Sequence, residues 1–114
     1  MAEPTGLSPE QVRALAALKD LAAMKLSAIA KRGIKRDFWD LHQIVTVSAV
    51  DLNRAFDSYV EKFGARQADL YHVMRSLTYF DDADAEHAFP AGLTAAHWDL
   101  IKDYFRRAAP LQLA

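Results

Sequence analysis

The sequence predicts an all-α fold, a compact bundle of about five helices in one domain, and three observations carry that expectation. Its 114 residues suffice for one ordinary domain and are few for two. Apolar residues recur three and four apart along nearly every segment, which lines them up on one face of a helix. Hydrophobic residues make up 52% and charged residues 25%, so a core can form beneath a charged surface and disorder is disfavoured.

Ser8-Pro9-Glu10-Gln11 predicts the first helix start. Ser8 can accept from free backbone N–H groups, Pro9 is preset for the first helical position, and Gln11 completes a capping box. Two apolar stripes follow, Val12, Leu15, Ala22, Leu26 and Ile29 beside Leu18, Leu21, Met24 and Ala28, which predicts burial on more than one side. The run reads as one long helix or as two joined near Lys19, and Gly33 suits the left-handed position past its end. A second helix is expected over Lys35 to Ile44, burying Phe38, Leu41 and Val45, with Ile44-Val45-Thr46-Val47 as helix end and connector.

Asp51 or Ser48 opens a third helix carrying Leu52, Phe56, Tyr59, Val60 and Phe63, closed by Gly64. A fourth runs from about Gln67 to Thr78 with Leu70, Val73, Met74 and Leu77 inward. Asp81 to Glu86 and Phe89-Pro90-Ala91-Gly92 read as an acidic loop with a turn. Thr94 caps the last helix, which buries Trp98, Ile101, Tyr104 and Phe105 and stops at Pro110. The domain spans 1–114, with 1–7 flexible.

Several function classes fall away. Lys plus Arg (14) against Asp plus Glu (15) gives a net charge of −1, so the whole molecule has no field to recruit nucleic acid, and direct nucleic-acid binding by this chain alone is not expected. No cysteine occurs, which excludes a disulfide framework, a thiolate zinc site and a cysteine nucleophile. Lys19, Asp20 and Lys25 interrupt the most apolar stretch, and Met1 to Leu7 is no secretory signal, so a cytoplasmic protein is expected. His42, His72, His87 and His97 are scattered without metal-ligand spacing. Asp81, Asp82, Asp84 and Glu86 lack the glycine and terminal glutamate of a calcium loop, and read as a solvated loop able to dock on the basic 31–36 segment. The tyrosines and tryptophans are spaced as core residues and are not interleaved with Lys and Arg.

The densest polar segment is 25–40. Lys25 and Arg32 lie along one line of the first helix, and Asp37 and Asp40, three apart, share a face of the next. A short turn at Gly33 would fold those faces together. Two cations against two carboxylates make either a structural ion-pair knot or part of a triphosphate site, with cations on phosphate oxygens and a carboxylate on Mg²⁺.

The string from Asp20 to Leu41, with Asp20-Leu21, Lys25, Ala28, Arg32, Asp37 and Asp40-Leu41 in register, resembles the motif DLxxxKxxAxxxRxxxxDxxDL of the AbiEii/AbiGii toxin nucleotidyltransferases of abortive-infection and type IV toxin–antitoxin systems. The later Leu77-Thr78-Tyr79-Phe80-Asp81-Asp82-Ala83-Asp84, with its proline turn and tryptophan helix, is similar to the family's carboxy-terminal stretch, so the likeness covers about residues 18–107. The resemblance implies that Lys25 contacts a nucleotide triphosphate and that Asp37 supports the site, with Arg32, Arg36 and Asp40 as further polar groups. The family's catalytic sheet, with a Gly-Ser pair and a metal-holding Asp-x-Asp, lies ahead of this motif, and the residues before Asp20 read as helix instead.

Three hypotheses follow. The first is a truncated or split homologue, or a remnant of one, not catalytic alone, with no cofactor in isolation and with Mg²⁺ and NTP only when a catalytic partner chain completes the site; a cognate antitoxin is a second partner. The second is a helical homodimer, an interaction or scaffold protein in which Lys25 and Asp37 are only structural. The third is a residual nucleotide sensor.

Overall fold

Ser8 and Gln11 close the expected capping box: the Ser8 N–H donates to Gln11 Oε1 at 2.8 Å and the Gln11 N–H to Ser8 Oγ at 3.2 Å. The computed structural model describes residues 6–113, with side chains through Ala109, so the expectation for 1–5 lies outside the described residues. Helix α1 (Pro9–Lys31) runs unbroken past Lys19, followed by α2 (Lys35–Val47), α3 (Leu52–Phe63), α4 (Gln67–Ser76), a four-residue turn α5 (Asp81–Asp84) and α6 (Ala95–Leu113). Five helices of ten residues or more and no strand among the described residues make the all-α bundle the sequence predicts.

Helix α1 is the spine, packing on α3, α2 and α4. Ala22 and Ala23 are fully buried there beside Leu26 and Ile29, and such small side chains let neighbouring backbones approach closely. Phe38 is the hub of the core. Its ring meets Phe80, Trp98 and Phe105 at centroid distances of 5.2, 5.7 and 5.9 Å, which ties α2 to α6 and to the segment before α5.

Four boundaries or faces differ from expectation. Helix α2 carries the β-branched run through Val47, because Ile44 and Val45 are buried and packing overrides their weak helix propensity. The acidic segment is not all loop, since Asp81–Asp84 forms a helical turn that buries Ala83. Helix α6 passes Pro110 to Leu113, and the hydrogen bond that proline cannot donate is forgone in the last turns. On α1 the second stripe is not sealed: Leu21 and Met24 stay exposed, in line with exposed Ala14 and Ala17.

Candidate functional site

The polar site forms where α1 turns into α2. Arg32 caps α1, its N–H donating to Ala28 O at 2.8 Å, and Gly33 adopts φ 55°. A Cβ at Gly33 would lie 3.3 Å from Ile29 O in a backbone conformation L-residues rarely adopt, so glycine is what lets the chain reverse here. The reversal sets the first turns of α2 against the last turns of α1.

The five residues singled out from the sequence come together. Arg32 Nε donates to Asp37 Oδ2 at 2.8 Å and its Nη2 to Asp37 Oδ1 at 2.9 Å, a bidentate grip on a fully buried carboxylate. Lys25 Nζ sits 2.9 Å from Asp40 Oδ2 and 3.9 Å from Asp37 Oδ1. Arg36 Nε donates to Asp40 Oδ1 at 3.2 Å and stacks its guanidinium over Trp39 at 5.5 Å. The hydrogen bond to Asp37 raises the already high pKa of Arg32, so this cation stays charged.

Three cations thus share two carboxylates, an excess of one positive charge. Arg32 remains 58% exposed and Lys25 22%. Arg32 is held from within by a buried carboxylate and opens outward, where it can meet an anion, whereas Lys25 is a little less exposed than its partner Asp40. The carboxylates do not fit a metal: both Asp37 oxygens accept from Arg32, and those of Asp40 face Lys25 and Arg36. No group of three or more metal-ligating side chains forms among the described residues, although His42 and His97 face each other with ring centroids 6.2 Å apart.

Helix α2 has no side-chain cap of its own, and a distant segment supplies one. Glu86 Oε1 accepts from the Lys35 N–H at 2.7 Å, favourable for a carboxylate at a helix N-terminus. In return the buried Lys35 ammonium donates to Ala83 O at 2.7 Å and Glu86 O at 2.8 Å, with Phe89 4.6 Å away. The acidic segment does dock on the basic one, within this chain. Asp84 is occupied too, by the Trp98 indole at 2.8 Å and Lys102 at 3.2 Å. Burial alone would raise its pKa, but these two partners outweigh it and hold it below the usual value.

Sequence spacing missed a second feature. A cleft of about 740 Å³ opens on the other side of Arg32, between the end of α1 and α4, with Lys31, Tyr71, His72, Arg75 and Tyr79 in its walls. These aromatic and basic residues are interleaved in space, not along the chain. The one hint in the sequence was Tyr71 and Arg75, four apart on α4.

Fold and site together define a helical domain presenting cations over a buried carboxylate at the α1–α2 turn. The family profile described as "Nucleotidyl transferase AbiEii toxin, Type IV TA system" matches residues 5–113, and the chain belongs to that family. It is 34% identical over 89 residues to "Uncharacterized protein aq_aa25" of Aquifex aeolicus (strain VF5), covering 78% of this chain and 41% of that protein. The chain therefore spans about two fifths of that relative's length. No solved structure matches.

Proposed function

We propose that this chain is the helical, phosphate-contacting part of a toxin-type nucleotidyltransferase, and that the residues of this part do not catalyse transfer alone. Lys25 would contact the triphosphate, with Arg32 and Arg36 beside it, while Asp37 and Asp40 hold those cations in place. The observation that carries this is the shared-carboxylate cluster, in which three cations on two carboxylates leave one positive charge in excess. Nucleotidyl transfer also needs carboxylate-held metal to neutralise developing charge. Asp37 and Asp40 are engaged with cations, so Mg²⁺ would be held by carboxylates outside this helical part, in the cytoplasm. A cognate antitoxin fits the family's type IV description as a further partner.

The test is calorimetric titration with each of the four NTPs and Mg²⁺, with Lys25→Ala as control. Saturable binding that weakens in the variant supports the reading. Absence of binding at millimolar nucleotide removes it.

One observation favours a second reading, a scaffold or homodimer without a nucleotide role. Ala14, Ala17, Leu21 and Met24 form an exposed stripe at three- and four-residue spacing on α1, the surface another apolar helix would cover. Sedimentation equilibrium of the chain and of Leu21→Glu decides it: a dimer abolished by the charge supports this reading, and a monomer throughout opposes it.

A further inference from the structure

We infer that the cleft between the end of α1 and α4 is a separate ligand site that takes a nucleotide unit, base against tyrosine and phosphate against Lys31 and Arg75. Its volume, about 740 Å³, is in the range of small-ligand sites. Tyr71 and Tyr79 lie in its walls yet remain 52% and 54% exposed, so each ring is largely uncovered. The Arg75 guanidinium lies 5.9 Å from the Tyr71 ring centre, which puts a cation beside a stacking surface.

The polar groups of the cleft point to an anion. Among the described residues Lys31 and Arg75 make no ion pair, and only Asp82 brings a carboxylate to the walls. Both α1 and α4 end here, and bare helix C-termini would repel an anion. Several of these terminal carbonyls are already engaged. Ala28 O accepts from Arg32 and Gly33, Val73 O and Met74 O from Leu77, Arg75 O from Thr78, and Ser76 O from Tyr79. Ala30 O is met by His72 Nε2 at 3.4 Å. The side chains left to a ligand are chiefly donors and ring faces, the combination that holds a base and its phosphate without reading sequence.

The site shares only Arg32 with the Lys25 cluster, and the Nε and Nη2 of that arginine are committed to Asp37. It therefore stands whether or not Lys25 contacts a triphosphate. One chemistry has two sources here, a free nucleoside monophosphate or one unit of a single strand.

Fluorescence anisotropy of the full chain with a short labelled oligouridylate tests the inference, with UMP, inorganic pyrophosphate and a polyglutamate peptide as competitors. The expected result is saturable binding that weakens about tenfold in Tyr71→Ala, in Tyr79→Ala or in both. Arg75→Ala weakens it as well and Arg13→Ala, outside the cleft and the Lys25 cluster, leaves it unchanged, with circular dichroism confirming that each variant is folded. Displacement by UMP at matched nucleotide concentration assigns the free ligand, and displacement only at large excess assigns the strand. Absent binding, binding indifferent to the tyrosine and Arg75 variants, or equal competition by pyrophosphate or polyglutamate overturns the inference.

Discussion

Arg32 reaches over the Gly33 turn and holds Asp37, a carboxylate with no solvent exposure, by two hydrogen bonds of 2.8 and 2.9 Å. The two partners are not equivalent. An arginine without Asp37 can turn to water, whereas Asp37 without Arg32 is a buried anion with only Lys25 at 3.9 Å to answer it.

The first prediction follows from that asymmetry. Arg32→Ala destabilises the protein more than the double variant Arg32→Ala/Asp37→Asn, because the second change removes the stranded charge. Urea unfolding of the two reports the order, and a double variant less stable than the single would contradict it.

Lys35 gives the second. Replacing it with Met orphans the carbonyls of Ala83 and Glu86, at a cost of about 2 kcal/mol. Hydrogen exchange is expected to quicken first in the 83–92 segment and the first turn of α2, which Glu86 caps.

Phe38 gives the third. It is fully buried and touches three aromatic rings from later in the chain, so Phe38→Ala leaves a cavity costing about 3–5 kcal/mol. Denaturant unfolding measures the loss; a change below about 1 kcal/mol would show that the hub repacks.

A pH effect is the fourth. Burial, and then the neighbouring His97, push the His42 pKa below its usual 6.5. Below that value the unfolded chain binds the proton more readily than the folded one, so stability falls as the pH drops through 6.5. Thermal unfolding at about pH 5 and pH 7 reads the difference, which is expected to shrink in His42→Gln.

Much of the architecture was legible because local signals agreed with the final packing. The Ser8–Gln11 box, Asp51 and Thr94 all cap the helices the sequence assigned to them, through hydrogen bonds within three residues. The cluster of Lys25, Arg32, Arg36, Asp37 and Asp40 was legible for the same reason, as one glycine turn brings its two helices together. What was not legible depends on contacts far apart in sequence. Lys35 meets Glu86 across 51 residues, and nothing local distinguishes it from the solvated lysines nearby. The cleft is hidden likewise, since Lys31 and Tyr79 become neighbours of one space only after α4 packs on α1. The exposure of Leu21 and Met24 on α1 is not legible either, because periodicity shows that a face is apolar, not that this chain covers it.

Phosphorus NMR of ATP with the full chain decides whether Lys25 and its carboxylate-held neighbours contact nucleotide phosphates. The β and γ resonances are expected to shift and broaden with wild-type protein and with Tyr71→Ala, and Lys25→Ala/Tyr71→Ala, which disables both sites, is expected to restore the free spectrum. Phosphorus signals unchanged by wild-type protein at millimolar concentrations, or changed equally by Tyr71→Ala and by Lys25→Ala/Tyr71→Ala, would contradict that contact and leave the cluster as an ion-pair knot that serves the fold.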